Sequence, residues 1–160
     1  MRLVKPTLEY RDTYLAGMSE IIAEHPGLVS DHSIHDLADQ IARWELLAAR
    51  EHDAARMQYW LMDGNEYVGT VQIRREPNGR LPELASHLGW FLRPTRRNDE
   101  TAKELLSLAL TEAAALGMSE VLVTGSMSDR NMFEQRGGKP AGQFTMPDTG
   151  RIVFKYSFAL

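Results

Sequence analysis

Three arginines, Arg93, Arg96 and Arg97, lie close together just before a long Leu- and Ala-rich stretch that begins near Glu100. A cationic turn at a helix start suits one kind of chemistry. The leading backbone N–H groups have no intrahelical partner and, with the helix dipole, hold an anion such as a phosphate. A merely solvated basic turn is the other reading of the same residues. His87, a little upstream, falls on an expected strand and has the pKa range of a general base. Its competing reading is a half-exposed strand residue with a structural hydrogen bond. His32 and His35 stand at i, i+3, but no third ligand accompanies them and they flank a helix start, so a solvated cap is preferred over a metal site. The chain has no cysteine. Disulfides, thiolate metal sites and a cysteine nucleophile are thereby excluded.

What must position these groups is one domain, 1–160, because 160 residues suffice for a hydrophobic core without staples. Apolar residues make up 43% and charged residues 25% of the chain, near the globular norm. A formal net charge of −4 and a pI of about 5.7 disfavour a nucleic-acid binder, which carries a basic stripe. The opening residues meet charge within a few positions and read as no signal peptide. The longest apolar-rich stretch, Leu105 to Leu116, is interrupted by Ser107, Thr111 and Glu112 and is too short to span a bilayer. A soluble, cytoplasmic protein is expected, monomeric or homodimeric, with neither a membrane nor nucleic acid as partner.

Along the chain, Leu3 to Lys5 reads as a short strand stopped by Pro6, and Thr7 as an N-cap. Leu8, Leu15, Met18 and Ile22 then recur at helical spacing, and a second helix from Ser33 or Asp36 carries Leu37, Ile41, Trp44 and Leu47 on one face. Two strands, Tyr59–Met62 and Tyr67–Ile73, flank the turn signal Asp63-Gly64-Asn65, and a further turn is expected at Pro77-Asn78-Gly79. A strand from Ser86 to Leu92 precedes Pro94. The helix from Glu100 to Leu116 is nearly apolar all round and so expected to be buried, with Gly117 as its C′ residue. A strand at Glu120–Thr124, a short helix at about Asp129–Arg136 and two closing strands complete the order βααβββαβαββ. Trp44, Trp60 and Trp90 are expected in the core or on a cleft wall. Glu45, on the second helix, is a solvated residue or one that approaches a substrate.

The stretch Leu92-Arg93-Pro94-Thr95-Arg96-Arg97-Asn98-Asp99-Glu100-Thr101-Ala102 resembles the coenzyme segment of GNAT N-acetyltransferases. The Leu105–Leu110 run, Leu116-Gly117, the Val121–Thr124 strand and Glu134-Gln135-Arg136-Gly137-Gly138 follow it in the family's order. The opening, Leu3 to Tyr10, is similar to that of a bacterial subgroup of acetyltransferases. The resemblance implies an α/β (α+β) fold, a mixed and mostly antiparallel sheet of six to seven strands with helices on both faces. It also implies acetyl-CoA as co-substrate, no metal, and transfer of an acetyl group to a primary amine of a small molecule or protein.

By the same resemblance, the fourth and fifth strands splay apart. The pantetheine arm lies along Phe91 and Leu92, and the pyrophosphate rests over Arg97, Asn98, Asp99, Glu100, Thr101 and Ala102. Asn131 would touch the coenzyme or cap the short helix. Three positions depart from the family pattern. Glu100 replaces a loop glycine, and Asp99 and Glu100 either point outward or cap the helix themselves. Asn98, where another glycine is common, could adopt a left-handed conformation. Phe133 stands where many members place a tyrosine that protonates the leaving thiolate, and the stretch from Thr124 to Gly137 reads about one turn short. An alternative follows: a GNAT-shaped binding or regulatory module with impaired catalysis.

Overall fold

A two-residue turn at Gly64 and Asn65, with Gly64 at φ +58°, joins the strands Arg56–Asp63 and Glu66–Asn78. Only a residue without Cβ takes that angle at no cost. The computed structural model describes residues 1–26, 36–50, 55–79 and 81–160. His32, His35 and Ser33 lie outside them.

The strands are β1 (Arg2–Val4), β2 (Arg56–Asp63), β3 (Glu66–Asn78), β4 (Ser86–Leu92), β5 (Glu120–Gly125), β6 (Lys139–Thr145) and β7 (Ile152–Ala159). The helices are α1 (Arg11–Glu24), α2 (Leu37–Ala48), α3 (Asp99–Ala115) and α4 (Arg130–Gln135). Their order along the chain is the expected one. The strands form two antiparallel sheets, β1-β2-β3-β4 and β5-β7-β6. β4 and β5 are linked through α3 and run side by side with no backbone ladder between them.

Helices cover both faces. On one, Leu105, Leu106, Ala109 and Ala113 of α3 pack against Leu61, Val71, Ile73 and Leu88, with Phe133 and Met132 of α4 alongside. On the other, Tyr14, Met18 and Ile21 of α1 and Leu37 of α2 pack against Trp60, Met62 and Tyr67. Trp60 is fully buried, stacked on Tyr14 with ring centroids 4.3 Å apart, and Trp44 meets it edge-on. Burying one such side chain stabilises the fold by about 1.5–3 kcal/mol.

Two local features depart from expectation. β3 continues through Pro77 to Asn78, past the expected turn, because its pairing with β4 is irregular between Ile73 and Asn78 and no ladder N–H is lost there. α3 buries one stripe only: Thr101, Leu105, Leu106, Ala109 and Ala113 are buried, while Thr111, Ala114 and Ala115 face water. Alanine counts as apolar in a sequence pattern but costs little when exposed, so an Ala-rich outer face resembles core in sequence and faces water in the structure. The helix ends as expected. Gly117 adopts φ +80°, its N–H reaches the Ala114 carbonyl, and the Met118 N–H reaches that of Ala113, a Schellman closure. Among the described residues no helix is long and apolar enough to cross a membrane.

Candidate functional site

At the leading end of α3 the cap is Asn98. Its backbone is extended (φ −154°, ψ 169°) and its Oδ1 accepts the Thr101 N–H at 2.9 Å. The expected left-handed Asn98 is therefore corrected. A carboxamide that caps a helix needs the extended conformation, and the capping bond decides it. Neither Asp99 nor Glu100 caps the helix; both side chains are exposed in its first turn, where they favour the positive end of the dipole. Ala102 donates to the Asn98 carbonyl at 3.0 Å. Among the described residues no protein acceptor reaches the Asp99 and Glu100 amides, so two leading donors remain open.

The arginines are committed elsewhere. Arg93 donates through Nε to Glu20 at 2.7 Å and pairs with Glu66 at 3.3 Å; Arg96 pairs with Glu66 and, at 2.6 Å, with Asp63. Arg97 makes a two-pronged pair with Glu24, at 2.9 and 2.8 Å, and its Nη2 also donates to the Leu92 carbonyl at 3.3 Å. These bonds tie the loop after β4 to the end of α1 and to the β2–β3 hairpin. Arg93 and Arg96 thus act as fasteners. Arg97, whose side chain is 45% exposed, remains within reach of solvent anions. The carboxylate partners were missed at the sequence level, although Glu20 and Glu24 at i, i+4 share one face of α1.

Glu20 shows how strongly this network holds. Hydrogen bonds from the Arg93 guanidinium, more than offsetting the cost of burial and helped by Thr95, bring its carboxyl down from an ordinary 4.5 to about 2. A carboxyl depressed in the native state stabilises the fold above its unfolded value, and that stabilisation is lost as pH falls toward the native value. In thermal melts from pH 7 to pH 2, the gap between the native chain and Glu20→Gln should be widest at neutral pH. It should close between about pH 4.5 and 2.

His87 is buried on β4, and its Nδ1 accepts the Leu122 N–H of β5 at 2.8 Å, with the Arg75 backbone as a further hydrogen-bonding neighbour. Desolvation lowers its pKa. Ser86 donates to the Leu122 carbonyl at 3.1 Å. Together the two side chains clip β4 to β5 at the amino end of β4. A neutral imidazole already accepting an amide is better suited to that clip than to drawing a proton from a substrate. A cavity of about 900 Å³ opens at this end, lined by Lys5, Met57, Tyr59, Arg75, His87 and Glu120, away from the Arg97–Ala102 loop.

Beyond the clip, Trp90 on β4 meets Phe133 of α4 edge-on, with centroids 6.2 Å apart. Phe133 is fully buried and also touches Tyr156 and Phe158. A Cβ on Gly125 would lie 2.6 Å from its ring, so glycine is needed there for close approach. A 3₁₀ turn at Met127–Asp129, closed by a reciprocal Ser126–Asp129 capping box, runs directly into α4. Leu92 is buried, and Phe91 is 38% exposed on the opposite face of β4. Asn131 is exposed on α4 with its Oδ1 taken by Gln135 at 3.2 Å, away from the α3 cap. Glu45 lines a cavity of about 420 Å³ with Ile41, Trp44 and Gln58. Among the described residues there is no cluster of His, Asp and Glu suited to a metal ion.

This architecture, two sheets meeting at an unladdered β4/β5 junction with α3 crossing between them, is the fold of the GNAT acetyltransferases. RimJ of Mycobacterium smegmatis, solved in complex with a CoA disulfide, superposes with a TM-score of 0.71 at 14% identity, covering 98% of this chain and 80% of its own. The microcin C7 self-immunity acetyltransferase MccE, solved with acetyl-CoA and AMP, matches at 0.70 and 13% identity over 99% and 91% of the two chains. A Salmonella typhimurium acetyltransferase that modifies the N-terminal serine of ribosomal protein L7/L12 matches at 0.67 and 13% identity over 99% and 94%. At these identities the likeness fixes the fold. No family model and no curated protein matches the sequence.

Proposed function

We propose that the chain, acting as a single domain over 1–160, is an N-acetyltransferase that moves the acetyl group of acetyl-CoA to a primary amine of a small molecule or protein. The observation that carries this reading is the pair of open amides at Asp99 and Glu100, set at the unladdered end of the β4/β5 junction. The diphosphate would rest on the backbone of Arg97 to Ala102, with Arg97 exchanging Glu24 for phosphate. The pantetheine arm, whose amides resemble peptide groups, would add to the free edge of β4 along Phe91 and Leu92. Neighbours of the same fold solved with coenzyme support acetyl-CoA as the co-substrate.

The carboxylates of Asp99 and Glu100 do not forbid it. Both are exposed, and at a water-like dielectric a charge pair at ~5 Å costs only about 0.8 kcal/mol. One charge-assisted amide bond contributes about 1.5–3 kcal/mol. In the reaction the neutral amine's nitrogen bonds to the thioester carbon and gives up a proton to water, the C–S bond breaks, and the sulfur takes up a proton. Backbone N–H groups of β4 facing the gap would polarise the carbonyl. Phe133 has no proton to give, so water would supply the one that the thiolate needs. His87 stays a weak candidate for the base because its Nδ1 is occupied. The cytoplasm, where acetyl-CoA is made and used, is the location this reading implies.

Isothermal titration with acetyl-CoA and CoA tests the assignment. Saturable heat with a micromolar dissociation constant is expected. No detectable heat at millimolar coenzyme would remove it.

A further inference from the structure

The chain carries more carboxylates than cations, and its half-buried arginines at the α3 cap each take one or two of them. Arg74 on β3 does not. Its Nε is buried with no hydrogen-bond partner, its Nη1 makes only a long 3.5 Å contact to the Ser86 carbonyl, and among the described residues no carboxylate pairs with it. The residue directly opposite on β2 is Arg56, so two like charges face each other across the strands, an arrangement that costs stability. Burial, and then Arg56, push the Arg74 guanidinium below its ordinary value.

Arg74 lies over Gly89 of β4: a Cβ at that glycine would sit 3.1 Å from Nη2 and 3.4 Å from Nη1. Gly89 pairs with Gln72, which pairs with Gln58. These three residues share the α1/α2 face of the sheet with Phe91, and Gln58 leads into the cavity lined by Trp44 and Glu45. The face is therefore a polar floor on which Arg74 is a half-buried planar cation without a described carboxylate partner, and Gly89 beneath it lies two residues along β4 from Phe91, where the pantetheine arm would run.

We propose that Arg74 receives the oxyanion, carboxylate or phosphate, of an acidic acceptor amine, holding its nitrogen over Gly89 toward the β4/β5 gap. This rests on the acetyltransfer reading above and adds the acceptor's class. A guanidinium fork matches a carboxylate or phosphate with two parallel bonds, and a desolvated unpaired arginine loses least by taking such a partner. Gln58 and Gln72 offer neutral donors and acceptors for the rest of the molecule.

The test compares free α-amino acids and 2-aminoethyl phosphate with amino-acid amides and spermidine as acceptors, following thiol release, which a cysteine-free chain leaves without background. The two anionic arms separate carboxylate from phosphate. Anionic acceptors should exceed neutral and cationic ones by at least about tenfold in kcat/KM. Arg74→Gln should raise their KM about ten- to hundredfold while leaving acetyl-CoA affinity and turnover of the amides unchanged, and Arg74→Lys should recover part of the loss. Melting temperatures of both variants confirm folding. Equal use of all acceptors, or an equal effect of Arg74→Gln on all, overturns the proposal. Should no acceptor turn over, the same amines are titrated onto the protein by NMR with and without CoA. An absence of Arg74-dependent binding by either anionic class at millimolar concentration also overturns it. The coenzyme titration reads the parent assignment separately.

Discussion

Asp99→Pro should leave the melting temperature within about a degree of the native value and still bind coenzyme about ten- to hundredfold more weakly than Asp99→Asn. Position 99 is the first helical residue after the Asn98 cap. Proline is well accepted there, since the N–H it lacks has no intrahelical partner and its fixed φ suits the helix. Asn98 already has the extended backbone that proline imposes on its predecessor (φ −154°, ψ 169°). The substitution thus removes one donor at the proposed diphosphate seat without disturbing the fold. Asp99→Asn is the proper reference because it removes the same charge and keeps the N–H. On its own it should tighten binding by about fourfold, the relief of roughly 0.8 kcal/mol of repulsion. Calorimetric titration of both variants decides the matter. Equal affinities would mean that no phosphate rests on these amides.

Phe133→Ala should destabilise the chain by about 3–5 kcal/mol, the usual cost of truncating a buried phenylalanine. In a domain of this size that lowers the melting temperature by about 6–20 °C. The ring is fully buried among Trp90, Tyr156 and Phe158, and Gly125 is shaped to it, so the neighbours cannot easily collapse into the void. Phe133→Leu, which keeps much of the volume, should cost less than about half as much. Thiol release per folded molecule should be the same for Phe133→Leu and the native chain. A phenyl ring donates no proton, and this one serves as packing. A melting temperature unmoved by Phe133→Ala would show that the ring does not hold the β4–α4 contact.

The order of elements was readable because it depends on local signals that nothing distant overrides. The Gly64 turn, the Gly117 helix stop and the switch from period two to period 3.6 are each contained within a few residues. The departures arise where a distant residue decides. Arg93, Arg96 and Arg97 looked like an anion site because Glu20, Glu24, Asp63 and Glu66 are 27 to 73 positions away along the chain. Asn98 was read by analogy with glycine, whereas its side chain supplies a capping bond that glycine cannot make. Of the two readings of His87, the structural hydrogen bond is present, to the Leu122 N–H, and the side chain is buried where half exposure was expected, because β5 packs beside it. Arg74 carried no signal at all: an arginine in an alternating strand is ordinarily a solvent-facing residue. Only its position over Gly89, with no carboxylate alongside among the described residues, sets it apart.

Ser86 and His87 tether β4 to the Leu122 backbone at the amino end of β4, and no ladder joins the two strands beyond it, so any wedge opened between the sheets would have its apex there. Parting the sheets would then be a rotation about that apex, with a gain in width that grows with distance from it and is largest beside the first turn of α3. A slender molecule sliding in from that mouth would advance until the walls converge. The depth it reaches is set by the angle of the wedge, and two side-chain bonds at the apex keep that angle from becoming a complete separation.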